Sequence, residues 1–315
     1  MSRWRRIAVT VAAMLVVLSL AANFRYGQSR GVFAGVADKT PASCKPLAGL
    51  SGVVTIIPDE PTHSALIATR DGGIFLLKGA AATKLTGTPQ DFHPLAMAAA
   101  GGKLTTAFQR KDGYAIAVFD IGSGKLTETS RLTTDQLSDP ADLLAVDALR
   151  FYLINHHKTH SALGRWLDDV FLIPRAEVQF FDGLKFVTVS KRLNAPSALA
   201  TSPDGAMLYV AQELPRNLAY FQRNAFSGAL GEVEIFALPA APTKISIAKD
   251  GSLIVAAWVK PGQGAVYRIA VASGVPQSAE LLYASKGHVV TAAAELGDQL
   301  LIATDQALLS CAQPQ

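Results

Sequence analysis

The stretch that decides the fold is Ser197-Ala-Leu-Ala-Thr-Ser-Pro-Asp-Gly-Ala-Met-Leu-Tyr-Val-Ala211. A short apolar run meets a polar turn and is followed by a second apolar run ending in small residues. Lys244-Ile-Ser-Ile-Ala-Lys-Asp-Gly-Ser-Leu-Ile-Val-Ala-Ala-Trp258 nearly repeats it. Runs this short, bounded by Gly, Asp and Pro, read as paired strands rather than helices.

Working outward, the same phrase is found four more times. It appears as Val53–Pro58 leading to Ala65–Thr69, and as Leu95–Ala100 leading to Lys103–Phe108. It returns as Asp142–Val146 leading to Phe151–Asn155, and last as Val289–Leu296 leading to Leu300–Thr304. The starts at 53, 95, 142, 197, 244 and 289 are spaced by 42, 47, 55, 47 and 45 residues. A hairpin-built period in the forties predicts a β-propeller, one four-stranded sheet per blade, and six copies predict six blades. A β-sandwich would show shorter and less regular spacing.

The sixth repeat runs out about one strand early, after Ala307–Cys311. The segment around Cys44 precedes the first repeat and is free to supply the missing strand, which would close the ring and remove its open edges. Cys44 and Cys311 would then lie side by side. They are the only two cysteines, and in an oxidising compartment such a pair reads as a disulfide. The loop-entropy model credits a closure of this length with about 4–5 kcal/mol. Two unrelated buried thiols are the alternative, and neither cysteine has the nearby second cysteine that a zinc site needs. The long third spacing holds His160–Phe171, where Leu163, Trp166, Leu167, Val170 and Phe171 recur at helical intervals. It predicts a short amphipathic helix inserted in the third blade, either packed on the propeller top or serving as a lid or membrane-lying helix.

Half of the 315 residues are hydrophobic and 17% are charged, a balance that excludes intrinsic disorder. The net charge of +4 includes Arg3, Arg5 and Arg6; without them the body carries only +1. The basic isoelectric point of about 9.0 is therefore no argument for nucleic-acid binding, and none is expected. Behind the cationic head, Ile7–Ala22 is the one apolar run that approaches a bilayer span. It has the layout of a secretory signal, with Ser19-Leu20-Ala21 as a cleavage site, or of an uncleaved anchor. The expected organisation is residues 1–22 as signal or anchor, 23–43 as linker and 44–315 as an exported propeller, on the periplasmic or extracellular face.

With this organisation in view, several phrases resemble the paraoxonase/arylesterase family of six-bladed propellers, whose neighbourhood includes gluconolactonases and strictosidine synthase. They are Asp142-Leu-Leu-Ala-Val146, Arg150-Phe-Tyr-Leu-Ile-Asn-His-His157, Ala176-Glu-Val-Gln-Phe-Phe-Asp-Gly183 and Ser202-Pro-Asp-Gly-Ala-Met-Leu-Tyr-Val-Ala211, with Leu300–Thr304 and Ala307–Cys311 at the end. The resemblance covers roughly residues 44–311. It implies hydrolysis of lactones, aryl esters or phosphotriesters, with a calcium ion in the central tunnel polarising the scissile group.

Calcium takes six to eight oxygen ligands, so the family's ligand positions bear inspection one at a time. Asn155 matches a ligating asparagine. The next position, an aspartate that holds a second calcium in the family, is His156 here, and imidazole suits calcium poorly. Ser197 stands where a ligating asparagine is expected, and Asn194 lies nearby. Thr243-Lys244 stands where an aspartate-asparagine pair is expected. The acidic pair of the first blade falls near Gly52-Val53, and the catalytic histidine dyad falls on Leu95 and Gln109, with His93 two residues from the first.

The expectation is that Lys244 puts its ammonium where relatives hold the metal, bridging Asn155 and Ser197 across the tunnel mouth with His288 nearby. No cofactor is then needed, and the tunnel binds a small molecule with weak or altered hydrolysis. Two other roles for Lys244 stay open: a side chain reaching out to solvent, or a desolvated base or nucleophile. The alternative is an active calcium-dependent ester or lactone hydrolase with Asn155 among its ligands. Catalytic residues are not assigned. His156, His157 and His160 resemble a metal cluster but lack a partnering carboxylate motif, so a transition-metal site is not expected. No Gly-x-Ser-x-Gly elbow or phosphate-cradling glycine loop occurs. His63 and His93 stand alone and read as surface or tunnel-wall residues.

Overall fold

The computed structural model describes residues 3–29, 36–41, 43–47 and 49–312. Of the expected signal and linker segments, residues 1–2, 30–35 and 42 lie outside the described residues. Helix α1, Arg3–Ser29, precedes a ring of six four-stranded antiparallel sheets. The inner strands are Val53–Asp59, His93–Ala100, Pro140–Ala145, Pro196–Thr201, Ala241–Ile247 and Val290–Leu296, each within three residues of a repeat start read from the sequence. The protein is a six-bladed β-propeller.

The turn chemistry explains the phrase that announces each blade. In blade four, Ala206 N donates to Asp204 Oδ1 and Met207 N donates to Ser202 Oγ, while Gly205 takes a φ of +70°. Blade five repeats the device: Ser252 N donates to Asp250 Oδ1 beside Gly251 at +83°. Side-chain oxygens thus satisfy the turn's backbone donors, and glycine supplies the left-handed residue.

Burial follows the ring. Second strands such as Ser64–Thr69 are buried throughout because blades cover both faces, whereas the outer strand Leu230–Ala237 is largely exposed. Among the described residues the core falls into six hydrophobic clusters, one between each pair of neighbouring blades. Blade three's Tyr152 hydroxyl donates to Gly228 O at 2.8 Å, and blade four's Tyr209 donates to Gly274 O at 2.9 Å, so each reaches into the next blade.

The sixth blade is shared between the chain ends. Lys45–Leu47 pairs antiparallel with Leu308–Ala312, in register Lys45↔Ser310, and Cys44 is disulfide-bonded to Cys311.

The inserted helix α2, Ala162–Phe171, lies between the second and third strands of blade three. Ser161 caps it by accepting from Gly164 N, which is why it starts two residues after the expected His160. Its amphipathicity points outward. Asp168 and Val170 are buried, whereas Leu163, Trp166 and Phe171 are 67%, 52% and 49% exposed. The inward side is polar because it binds the blade through charge: Arg165 donates to Ser138 O, and Asp169 meets His157. Among the described residues, no helix is long and apolar enough to cross a membrane.

Candidate functional site at the propeller axis

Each of the six inner strands carries a register shift at the same place: between Val53/Thr55, Pro94/Ala96, Pro140/Asp142, Pro196/Ala198, Pro242/Lys244 and Val290/Ala292. A β-bulge leaves one residue out of the ladder and re-aims its neighbours. The bulged residues are Val54, Leu95, Ala141, Ser197, Thr243 and Thr291. Three of them carry hydroxyls, and each hydroxyl donates to the residue just before the next blade's bulge. Ser197 donates to Pro242 O at 2.7 Å, Thr243 to Val290 O at 3.3 Å and Thr291 to Val53 O at 2.7 Å. This half of the ring is stitched blade to blade.

The bulges frame an axial cavity of about 300 Å³, lined by all six inner strands. Its walls are mainly apolar, including Ile56, Met97, Leu143, Leu199 and Ile245. Asp142 and Lys244 are the ionisable residues in its lining. Both sit just after a bulge, in blades three and five, with blade four between them. Lys244 Nζ reaches across to Asp142 Oδ1 at 2.8 Å and to Ala141 O at 3.2 Å. The second carboxylate oxygen, Oδ2, accepts from Leu199 N at 2.9 Å. The side chains are 13% and 7% exposed, so the pair is nearly removed from water and each charge depends on the other.

Lys244, expected at the tunnel mouth beside Asn155 and Ser197, lines the axial cavity. Its hydrogen bonds run to blade three, instead of to Asn155 and Ser197. Ser197 is spent on Pro242. Asn155, buried at the end of blade three's second strand, organises the approach to that blade's inner strand. Its Oδ1 accepts from Ser138 N and Asp139 N, both at 3.1 Å, and its Nδ2 donates to Gln136 O at 2.8 Å. His288 is away from the pair, with Nδ1 3.6 Å from Asp305. Asp142 is the residue the sequence reading missed. The signal was present, since Asp142 and Lys244 open their repeats at the same phase.

His156 and His157 lie under α2. His157 is held at both nitrogens, Nδ1 at 2.6 Å from Asp139 Oδ2 and Nε2 at 2.9 Å from Asp169 Oδ1. Burial alone would lower its pKa, but the two carboxylates outweigh burial and push it up to about 9. His156 Nε2 is 3.8 Å from Glu213 Oε2. The positions of the family's histidine dyad lie at the rim. Leu95 is a bulge residue, while His93 and Gln109 face each other across the strand pair beside a cavity of about 710 Å³ that Arg70, Arg110 and Lys111 also line.

Residues 114–307 match the family model described as Arylesterase. The chain belongs to the arylesterase family. No curated protein matches the sequence. Among solved structures, this arylesterase-family chain is similar to a luciferin-regenerating enzyme, with a TM-score of 0.62 at 14% identity over 87% of this chain and 96% of that one. It is also similar to a gluconolactonase from Xanthomonas campestris, at 0.60 and 15% over 89% and 98%. Regucalcin from Agrobacterium tumefaciens, a calcium-binding protein, gives 0.59 and 18% over 85% and 90%. At these identities the likeness establishes a shared propeller fold.

Proposed function

We propose that this arylesterase-family propeller is an exported protein that takes a small molecule into its axial cavity without calcium, with weak or altered hydrolysis. The observation that carries the reading is the Lys244–Asp142 pair. A calcium site needs six to eight oxygens with net negative charge. Here the lining offers one carboxylate, one of its oxygens is bound by an ammonium and the other by a backbone amide, and the local charge sums to zero. Asn155 Oδ1 already accepts two backbone amides. This donor set does not fit calcium.

What the pair offers a ligand is a fixed donor and a fixed acceptor in apolar walls, a combination suited to an uncharged molecule with a carbonyl or lactone oxygen. Lys244 Nζ would donate to that oxygen. As an ammonium it would polarise a carbonyl far less than a divalent cation does, so the expected turnover is weak.

Export is supported by the Cys44–Cys311 disulfide, which belongs to an oxidising compartment. Contact with a membrane surface is supported by the exposed apolar residues of α1, among them Trp4, Met14 and Val17, and by the outward face of α2.

The test is metal analysis of the purified chain together with aryl-ester and lactone turnover, with and without chelator. The reading expects no tightly held calcium and turnover insensitive to chelator. Stoichiometric calcium with chelator-sensitive hydrolysis would instead make this an ordinary calcium-dependent member of the family. Chelator-resistant hydrolysis that Lys244→Ala abolishes would assign Lys244 to the chemistry.

A further inference from the structure

The geometry points to a binding site for one divalent transition-metal ion of the zinc type beneath α2, held by His156, His157 and Asp169, with Glu213 beside His156. None of these residues lines the axial cavity, and the inference is independent of how calcium is handled there.

Three ligand atoms, one each from His156, His157 and Asp169, lie within 4.8 Å of one another. His157 Nε2 and Asp169 Oδ1 stand 2.9 Å apart. Two ligands each about 2.1 Å from one tetrahedral ion stand about 3.4 Å apart, so a widening of about half an ångström lets this pair share it. An ion there takes the place of the proton between them. The two imidazole rings, 4.7 Å apart at 66°, are tilted rather than stacked, and His156 brings Glu213 with it at 3.8 Å.

The surroundings have the features of a supported site. His157 is only 10% exposed, and its other nitrogen, Nδ1, bonds Asp139 Oδ2 at 2.6 Å. That carboxylate–histidine arrangement fixes the tautomer and aims Nε2, as in known metal sites. The charge also suits a dication. Asp139, Asp169 and Glu213 bring three negative charges, and Arg165, 3.5 Å from Asp139, offsets one. The adjacent Asp168 is neutralised by Arg175 at 3.1 Å. Imidazole with carboxylate is the ligand set of zinc and its neighbours rather than of calcium. Three protein ligands leave the fourth position of a tetrahedral ion to water. The ion would join two elements, the end of blade three's second strand and α2.

The experiment uses the full chain, stripped with EDTA, then titrated separately with Zn²⁺ and Co²⁺. One equivalent should bind, and Co²⁺ should give the visible d–d absorption of a four-coordinate site. Saturating Zn²⁺ should raise Tm by roughly 5 °C. His157→Gln and Asp169→Asn should each weaken binding at least about 100-fold, and Asp139→Asn, which leaves the ligands in place, about 10- to 100-fold. The assignment is overturned if wild-type protein shows no saturable binding up to about 100 µM metal, a generous limit for a site with three protein ligands. It is equally overturned if millimolar Ca²⁺ displaces the ion, or if His156→Gln and His157→Gln bind as wild type does.

Discussion

Lys244 and Asp142, 102 residues apart and on non-adjacent blades, join their charges across the axis of the ring at 2.8 Å. Backbone pairing binds each blade internally, and apolar packing joins neighbours. This contact links blade five to blade three directly over the mouth of the cavity, so its strength is readable by mutation.

Lys244→Met should cost about 3–5 kcal/mol in chemical denaturation, because it strands a nearly buried carboxylate. Asp142→Asn should cost a similar amount by stranding the ammonium. The double variant Asp142→Asn/Lys244→Met should recover most of the loss, since Asn keeps an acceptor for Leu199 N while both charges are gone. Additive losses would mean that the pair is not coupled.

Asn155→Ala separates a structural asparagine from a metal ligand. It removes the acceptor of two backbone amides and the donor to Gln136 O, and should cost about 2–3 kcal/mol, while calorimetry should find no tight calcium binding in either wild type or variant.

Tyr209 predicts an alkaline limit to stability. Burial pushes its phenol up to about 12, with the charge of Asp204 adding to the effect. Its pKa is about 10 in the unfolded chain, so the neutral phenol's contribution is complete below pH 10 and is lost as pH rises towards 12. Unfolding free energy measured between pH 9 and 11.5 should fall, and Tyr209→Phe should flatten that slope.

Reduction of Cys44–Cys311, or Cys44→Ser, should lower stability by about 2–5 kcal/mol, because the bond spans 267 residues of sequence. A Tm measured with and without reductant checks this, and the double Cys44→Ser/Cys311→Ser variant should already carry the loss and show no further response to reductant.

Much of the fold was legible because it repeats. Pro203-Asp204-Gly205 and Lys249-Asp250-Gly251 are local devices whose side chains bond their own backbone, so sequence alone carries them. The shortfall of one strand at the C-terminus pointed to the shared sixth blade. The site was less legible because it is assembled across blades. Lys244 could be read as a cation near the axis, but its partner depends on ring geometry that brings together residues 102 positions apart. Asn155 fitted a ligand position by resemblance, and the structure shows its amide bonded to the Ser138-Asp139 backbone. Helix α2 was found through its period, yet its apolar side faces away from the blade because Asp169 and Arg165 bind inward.

The shared sixth blade also imposes an order on maturation. Lys45–Leu47 can find its partner only when Leu308–Ala312 has emerged, so the first sheet-forming segment made is the last to be docked. During synthesis the growing chain is an open arc with a bare edge at each end, exposed to intermolecular strand pairing. Cys44 has no cysteine to pair with in its own chain until Cys311 is made, and the joining of the two, with two electrons passed to a disulfide oxidant of the oxidising compartment, marks the moment at which the arc becomes a ring.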